Sequence, residues 1–146
     1  MTGLRHIIVT TTLAVAAISA AACGGSSSTS NIAAPTGTVT TDTFTGTVQQ
    51  SGTNVHSFMV TTPGSISVTL TAAGPPSTIT MGLGIGNPDA SGNCIFLSGG
   101  TTQAIANPTT PQLSGSLTSS GAYCVAIGDI GNAAGPITYS IAVSHT

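Results

Sequence analysis

From residue 43 onward, apolar residues alternate with hydroxyl-bearing residues or glycine, and this two-residue period restricts the chain to β-structure. Successive side chains of a strand point to opposite faces, so the alternation predicts strands with one apolar face and one hydroxylated face. The alternating segments are residues 43–48, 56–60, 65–70, 79–85, 123–127 and 137–143. Nothing after residue 22 has the 3.6-residue period of an amphipathic helix.

Turn motifs rich in glycine, proline and asparagine separate these segments. They are Ser51-Gly52, Pro63-Gly64, Gly74-Pro75-Pro76, Asn87-Pro88-Asp89, Ser98-Gly99-Gly100, Asn107-Pro108, Ser120-Gly121 and Gly131-Asn132. Seven to nine short strands with frequent turns over about 105 residues are typical of an antiparallel β-sandwich. We therefore predict an all-β domain over residues 41–146.

The first 40 residues differ in composition from the rest. Arg5 precedes an apolar stretch over residues 7–22, which is shorter than the roughly 20 residues of a membrane span and is typical of an export signal. Residues 23–40 begin with Cys23 and continue with Ser, Gly, Thr and Ala, which predicts a flexible linker. The predicted organisation is a signal peptide (1–22), a linker that begins with a lipidated cysteine (23–40) and the sandwich domain.

The run Ser19-Ala-Ala-Ala-Cys23-Gly24 resembles the lipobox of bacterial lipoproteins. The resemblance implies cleavage before Cys23, lipid attachment to its thiol and a lipid-anchored location in the bacterial cell envelope. Because glycine rather than aspartate follows the cysteine, the resemblance favours a location at the outer membrane or cell surface. Ala20-Ala-Ala22 also fits the A-x-A rule of ordinary signal peptidase, so a secreted protein and an uncleaved anchor remain alternatives.

Charged residues are nearly missing from the sequence. The only Lys or Arg is Arg5, and the acidic residues are Asp42, Asp89 and Asp129. Nucleic-acid binding requires basic side chains that neutralise phosphates, so nucleic acid is excluded as a partner. With a surface of neutral polar groups, we expect stability to depend little on salt, or on pH between about 4.5 and 9, where few groups other than histidine titrate.

Three cysteines divide into one before the domain and two within it. With Cys23 lipidated, Cys94 and Cys124 remain in an oxidising compartment, where disulfides persist. We expect one disulfide between them. The alternatives are two free buried thiols or a zinc site, although the chain has no C-x-x-C motif.

The order of several strand motifs resembles the bacterial pre-peptidase C-terminal (PPC) domain over about residues 42–145. The motifs are Phe44-Thr-Gly-Thr-Val48, His56-Ser-Phe-Met-Val60, Gly64-Ser-Ile-Ser-Val-Thr-Leu70, Gly121-Ala-Tyr-Cys-Val125 and Ile137-Thr-Tyr-Ser-Ile-Ala-Val143. The resemblance implies a jelly-roll-like sandwich of a kind often attached to exported proteases. Here no peptidase lies in the same chain.

Two loops contain side chains that could hold a cation. In residues 87–93, oxygen-bearing side chains including Asp89 precede a glycine, as at the start of a calcium loop, but the later bidentate Glu is missing. Asp129 and Asn132 follow a strand directly, and with Asp89 they are candidates for a weak calcium site at one end of the sandwich. The favoured interpretation of both loops is a turn, with no cofactor.

No residue is predicted to be catalytic. His56 and His145 are interpreted as surface or strand-end residues, and no Gly-x-Ser-x-Gly motif supports a Ser-His-Asp hydrolase. Tyr123 and Tyr139 fit the buried period and are too few for an aromatic sugar-binding platform. The leading hypothesis is a non-catalytic envelope module that binds glycan or protein or has a structural role. The alternative is an accessory or chaperone-like subunit for an exported hydrolase or peptidase.

Overall fold

Eight antiparallel strands and no helix make up the part of the chain that the computed structural model describes, residues 37–146. The predicted signal peptide, Cys23 and the linker up to residue 36 lie outside the described residues. The strands are β1 (Thr40–Val48), β2 (Thr53–Val60), β3 (Gly64–Gly74), β4 (Thr80–Pro88), β5 (Cys94–Ile105), β6 (Leu113–Leu117), β7 (Gly121–Asp129) and β8 (Ile137–His145). Within this range no helix is long and apolar enough to cross a membrane.

The strands form two four-stranded sheets. Sheet A has the order β1-β8-β3-β6, and sheet B has the order β2-β7-β4-β5. The chain crosses from one sheet to the other at every connection except the hairpin between β4 and β5, and this arrangement is a jelly roll. The predicted antiparallel β-sandwich is therefore confirmed.

The core lies between the sheets and contains the inward-facing residues of the alternating segments. The largest side chains with almost no exposure are Leu70, Met81, Ile127, Ile137 and Ile141. Burial of each such side chain contributes about 1.5–3 kcal/mol, so the apolar half of the period drives the two sheets together. Tyr123 and Tyr139 are both buried, as the sequence period predicted.

The outer face of sheet A bears the hydroxyl half of the period. Thr41 on β1, Ser144 on β8 and Ser67 on β3 lie opposite one another in neighbouring strands. Thr41 Oγ1 and Ser144 Oγ are 2.8 Å apart, which is a cross-strand hydrogen bond. This face is hydrated and uncharged, as the composition predicted.

Strands β5 and β6 are not among the segments that the alternation predicted. Ser98-Gly99-Gly100, predicted as a turn between strands, lies inside β5, so that prediction is wrong. The pairing of β5 with β4 shifts between Gly84 and Gly86, and residues 97–100 of β5 form a bulge at this point. The other predicted turn motifs lie between strands or at their ends.

A disulfide links Cys94, the first residue of β5, to Cys124 in β7, with the two Cα atoms 5.8 Å apart. Both strands belong to sheet B, where they flank β4. The predicted disulfide is confirmed, and it fastens the start of β5 across the neighbouring strand.

Candidate functional site

The outer face of sheet B contains a shallow trough of about 380 Å³. Its floor consists of small residues that face outward from β4 and β7, namely Gly82, Gly84, Ala126 and Gly128. Side chains from β5 and from the residue that follows β7 rise beside this floor, namely Phe96 and Ile130. The trough exists because glycine and alanine stand where larger side chains would fill the sheet surface.

Phe96 lies directly over Gly84. A β-carbon at Gly84 would be 2.7 Å from Cδ1 and 2.8 Å from Cζ of the Phe96 ring, which is closer than atoms can approach. A β-carbon at Gly82 would similarly lie 3.2 Å from Cγ2 of Ile130. Gly84 therefore leaves the space in which the aromatic ring rests on the sheet.

The backbone of β5 holds this ring in place. A β-carbon at Gly86 would lie 2.6 Å from the carbonyl carbon of Ile95 and 2.9 Å from Cα of Phe96, so β5 passes closely over β4 at this point. The disulfide at Cys94 fixes the chain two residues before Phe96. The ring is thus held by a glycine contact below it and by a covalent link beside it.

Exposed apolar side chains are concentrated on sheet B. Phe96 is 49% exposed and Ile130 is 43% exposed. Of the six large hydrophobic side chains exposed within residues 37–146, five belong to sheet B or directly follow β7, and the exception is Val39. Because exposed apolar surface is typical of interaction sites, sheet B is the candidate binding face and sheet A is not.

Phe96 is also unusual among the aromatic residues. The chain has three Phe, two Tyr and no Trp. Phe58, Tyr123 and Tyr139 are buried between the sheets, and Phe44 is partly buried against the same core. Phe96 is the aromatic residue that the fold leaves exposed within the described range.

One ionisable side chain, Asp129, lines the trough. Its Oδ2 accepts a hydrogen bond from the Ser51 N–H at 2.8 Å, and its Oδ1 accepts from the N–H groups of Gly131, Asn132 and Ala133 at 3.0–3.1 Å. The Ser51 N–H is the main reason that the pKa of Asp129 lies below its ordinary value, and the other three donors lower this pKa further. The carboxylate is therefore ionised at neutral pH and caps the turn after β7.

Asp89 organises the hairpin between β4 and β5 in a similar way. Its Oδ1 accepts from the N–H groups of Ser91 and Asn93, and its Oδ2 accepts from Asn93 Nδ2. The Asn93 side chain is the main cause of a pKa below the ordinary value of this carboxyl. Residues 89–93 therefore form the predicted hairpin turn between β4 and β5.

The structure does not bring Asp89 and Asp129 together. Asp129 pairs with Met81 near the start of β4, whereas Asp89 follows the end of that strand. Eight residues of strand separate the two positions, about 26 Å at roughly 3.3 Å per residue. Within residues 37–146 no three His, Cys, Asp or Glu side chains gather as metal ligands would. Asn132 lies near Asp129, but its amide Nδ2 donates to Thr80 O.

His56 lies in the middle of β2 and faces the space between the sheets. Its ring stacks on Phe44 with centroids 4.8 Å apart, and its Nε2 lies 2.6 Å from Tyr139 Oη. Asn54 Nδ2 donates to the same Tyr139 oxygen at 3.0 Å. Burial lowers the pKa of His56, so the ring is neutral in this aromatic environment.

His145 is the last residue of β8, which agrees with its predicted place at a strand end. It is only 4% exposed, so it does not lie on the surface. Its Nε2 lies 3.0 Å from Asp42 Oδ2, and its ring packs against Phe58. Nδ1 is buried without a hydrogen-bond partner. Among the described residues, no serine hydroxyl bonds to either histidine, so no Ser-His-Asp arrangement forms.

Sequence reasoning missed the residues that define the trough: Phe96, Gln103 and Ile130. A signal for Phe96 was present, because the apolar run Ile95-Phe-Leu97 lies between Asn93 and Ser98 and is long enough for a buried strand segment. The glycines at positions 82, 84 and 86 were a second signal. They leave one face of β4 without side chains, and such a face allows another backbone or ring to approach closely.

The fold and the trough together define a jelly-roll module with a candidate binding face on one sheet. No protein-family model matches this chain, and no curated protein is similar to it in sequence. A crystal structure of PliG from Aeromonas hydrophila, a periplasmic lysozyme inhibitor of g-type lysozyme, is 18% identical with a TM-score of 0.45. The match covers 71% of this chain and 84% of that one.

Similarity at this level transfers neither a partner nor an activity. The resemblances to the lipobox and to the PPC domain remain predictions from the sequence.

Proposed function

We propose that this protein is a lipid-anchored, non-catalytic binding module of the bacterial cell envelope, on the outer membrane or cell surface. Its binding surface is the trough on sheet B, and its ligand is a glycan or a protein. The observation that carries the proposal is the exposure of apolar side chains on this one sheet, two of which, Phe96 and Ile130, line the trough.

The chemistry of the trough favours binding over catalysis. General acid–base or nucleophilic catalysis needs a titratable group near a reacting atom. Asp129 is the one titratable side chain that lines the trough, and N–H donors already engage both of its carboxylate oxygens. Neither histidine lines the trough, and His56 faces the other side of sheet B.

The proposal of a lipid anchor is supported by the lipobox-like sequence around Cys23, which lies outside the described residues. A thioether-linked diacylglycerol together with an N-terminal acyl chain supplies enough buried methylene groups for stable anchoring, since each contributes about 0.8 kcal/mol. The alternative of plain secretion leaves the binding role unchanged and removes the attachment.

The anchoring is tested by expressing the full chain in a bacterial host. We expect the mature protein to partition into the detergent phase of a phase-separation assay, and Cys23→Ser to move it to the aqueous phase. Ser26→Ala serves as a control that leaves the lipobox intact. Equal partitioning of Cys23→Ser and the parent protein would exclude lipid anchoring through this thiol.

The binding role is tested with purified domain (residues 37–146) against isolated envelope fractions: sacculi, neutral polysaccharide and exported proteins. We expect retention on one fraction, and we expect Phe96→Ala to abolish it. Val39→Ala is the matched control, because Val39 is 64% exposed and does not line the trough. Retention that is indifferent to Phe96→Ala would show that the trough is not the binding surface.

A second candidate is an accessory subunit of an exported hydrolase or peptidase, which the PPC-like order of strand motifs over residues 42–145 supports. Co-purification with an exported hydrolase from a host that encodes both proteins, together with a change in its activity, would favour this candidate. Retention on polysaccharide without such co-purification would favour the first.

A further inference from the structure

The trough has the features of a site for one sugar ring. Phe96 is 49% exposed, and its ring lies against Gly84 of the neighbouring strand. The face of an aromatic ring carries partial negative charge and attracts polarised C–H groups. The apolar face of a pyranose ring, with its axial C–H groups, is such a partner.

Polar side chains stand beside this ring on the same face of the sheet. Thr101 pairs with Gly84, the residue under the ring, and Gln103 pairs with Gly82. Thr53 approaches the floor at Gly128. None of these three side chains takes part in the side-chain hydrogen bonds of residues 37–146, so their hydroxyl and amide groups are available to a ligand. Neutral donors and acceptors that surround an apolar surface match sugar hydroxyl groups around a sugar ring.

Charge selects the class of ligand. Residues 37–146 contain no Lys or Arg, so nothing in the trough neutralises an anionic polymer. Asp129 at the rim is ionised because hydrogen-bond donors lower its pKa, and it repels anionic groups. A neutral glycan is therefore favoured over sulfated, phosphorylated or uronic-acid chains.

Size favours a glycan over a folded protein. Stable protein interfaces bury about 800 Å² on each partner around a cluster of aromatic or Arg anchors. The trough offers one aromatic ring and a volume of about 380 Å³, which lies within the range of roughly 300–1,000 Å³ of sites for small ligands.

We propose that the trough binds a neutral glycan chain, with one pyranose ring stacked on Phe96 and its hydroxyl groups bound by Thr101, Gln103 and Thr53. This inference rests on the proposed function and specifies its ligand. Asp129 sets the selectivity against anionic chains, and Gly84 sets the position of the aromatic ring.

The test uses the purified full chain in its lipid-free Cys23→Ser form and a panel of neutral oligosaccharides of four to six units. The panel contains cello-, xylo-, malto-, chito- and β-1,3-gluco-oligosaccharides, with alginate oligosaccharides as the anionic probe. Calorimetry measures binding. We expect binding to at least one neutral series and none to alginate. Phe96→Ala should weaken that binding at least tenfold, whereas Phe96→Trp retains it, because the ring face is kept.

Gly84→Ala provides an independent variant that substitutes none of the proposed ligand-contacting residues. Its methyl group takes the space of the Phe96 ring, so the ring must move and affinity should fall about as far as in Phe96→Ala. Val39→Ala should bind like the parent protein. Circular dichroism and urea denaturation establish that each variant is folded before binding is compared.

Binding to no neutral series, or equal binding by Phe96→Ala, would overturn the glycan proposal. A protein retained from the exported fraction in a manner that depends on Phe96, with no glycan bound, would overturn the glycan proposal and leave the proposed function standing. Retention of neither glycan nor protein would remove both.

Discussion

The hydroxyl group of Tyr139 joins the two sheets at a single oxygen. Tyr139 belongs to β8 of sheet A, and its two hydrogen-bonding partners, Asn54 and His56, belong to β2 of sheet B. A neutral His56 ring can accept a hydrogen bond from the Tyr139 hydroxyl at Nε2, while Tyr139 Oη accepts a hydrogen bond from Asn54 Nδ2. Protonated His56 could not accept this hydrogen bond, so this arrangement requires the uncharged ring.

We expect the pKa of His56 in the folded protein to lie below 6.5, because burial disfavours the charged ring. As pH falls below 6.5, the unfolded chain binds a proton at this residue before the folded protein does. The stability present above pH 6.5 is therefore lost as pH falls through the folded pKa. NMR titration gives the pKa, and urea denaturation gives the slope.

The comparison variant for this titration is His56→Gln, which should have a flatter dependence of stability on pH in the same window. A His56 pKa at or above 6.5 would contradict the expectation. Asp89 and Asp129 act with the same sign at lower pH: their lowered pKa values mean that stability falls further below about pH 3.8.

At the scale of the strand, the disulfide determines where the first part of β5 lies. Cys94 and Cys124 are 30 residues apart in sequence, and the chain-entropy model assigns a loop of this length roughly 3–4 kcal/mol. We expect the double variant Cys94→Ala/Cys124→Ala to lose about this free energy of unfolding in urea. Its affinity at the trough should fall as well, because the start of β5 positions Phe96.

The parent protein with reductant provides the control, since it should match the double variant in stability. A difference below about 1 kcal/mol, or two thiols that react freely in the folded parent protein, would contradict a stabilising disulfide.

The same strand shows why part of the fold could be predicted and part could not. β1, β2, β3 and β8 alternate in sequence because one face of each is buried and the other is more exposed. β4 and β7 alternate because large apolar residues face the core and small residues face outward. In β5, the residues at the start lie on the outside of the sheet, where the exposed Ile95 and Phe96 break the pattern. The register shift opposite Ser98–Gly100 then allows a turn-like sequence to lie inside the strand. The trough depends on this outside packing, so periodicity alone could not predict it.

β6 escaped prediction for a different reason. It has five residues, Leu113–Leu117, of which only the last is buried, and it stands at the edge of sheet A. Such a strand carries too little apolar alternation for recognition, and its place is fixed by pairing with β3. Local turn chemistry, in contrast, is encoded in the sequence: the loops at Asp89 and Asp129 were predicted as turns, and their carboxylates cap backbone N–H groups.

At the scale of the whole molecule, the scarcity of charge gives an unusual response to ions. Within residues 37–146, His145 and Asp42 form the one contact between a histidine and a carboxylate. The exposed carboxylates of Asp89 and Asp129 lie in a surface of hydroxyl, amide, backbone and apolar groups. We expect the free energy of unfolding to change by less than about 1 kcal/mol between roughly 20 and 500 mM NaCl at pH 7, because screening has few interactions to weaken. Urea denaturation at each salt concentration measures this.

Sodium sulfate should still stabilise the domain, because sulfate strengthens apolar burial irrespective of protein charge. It is therefore the positive control for the salt series. A loss of several kcal/mol in NaCl would show that charged groups contribute far more to this fold than their number suggests.

The pairing of the first and last strands places the start of β1 at the end of the sandwich opposite Asp129. Thr40 opposes His145 at one end of the sandwich, and β1 runs from there for nine residues, about 30 Å, to the turn whose Ser51 contacts Asp129. The chain therefore enters the jelly roll at one pole, and the rim of the trough formed by Asp129 and Thr53 is at the other. A probe coupled to the chain near Thr40 would therefore be held about one strand length from that rim.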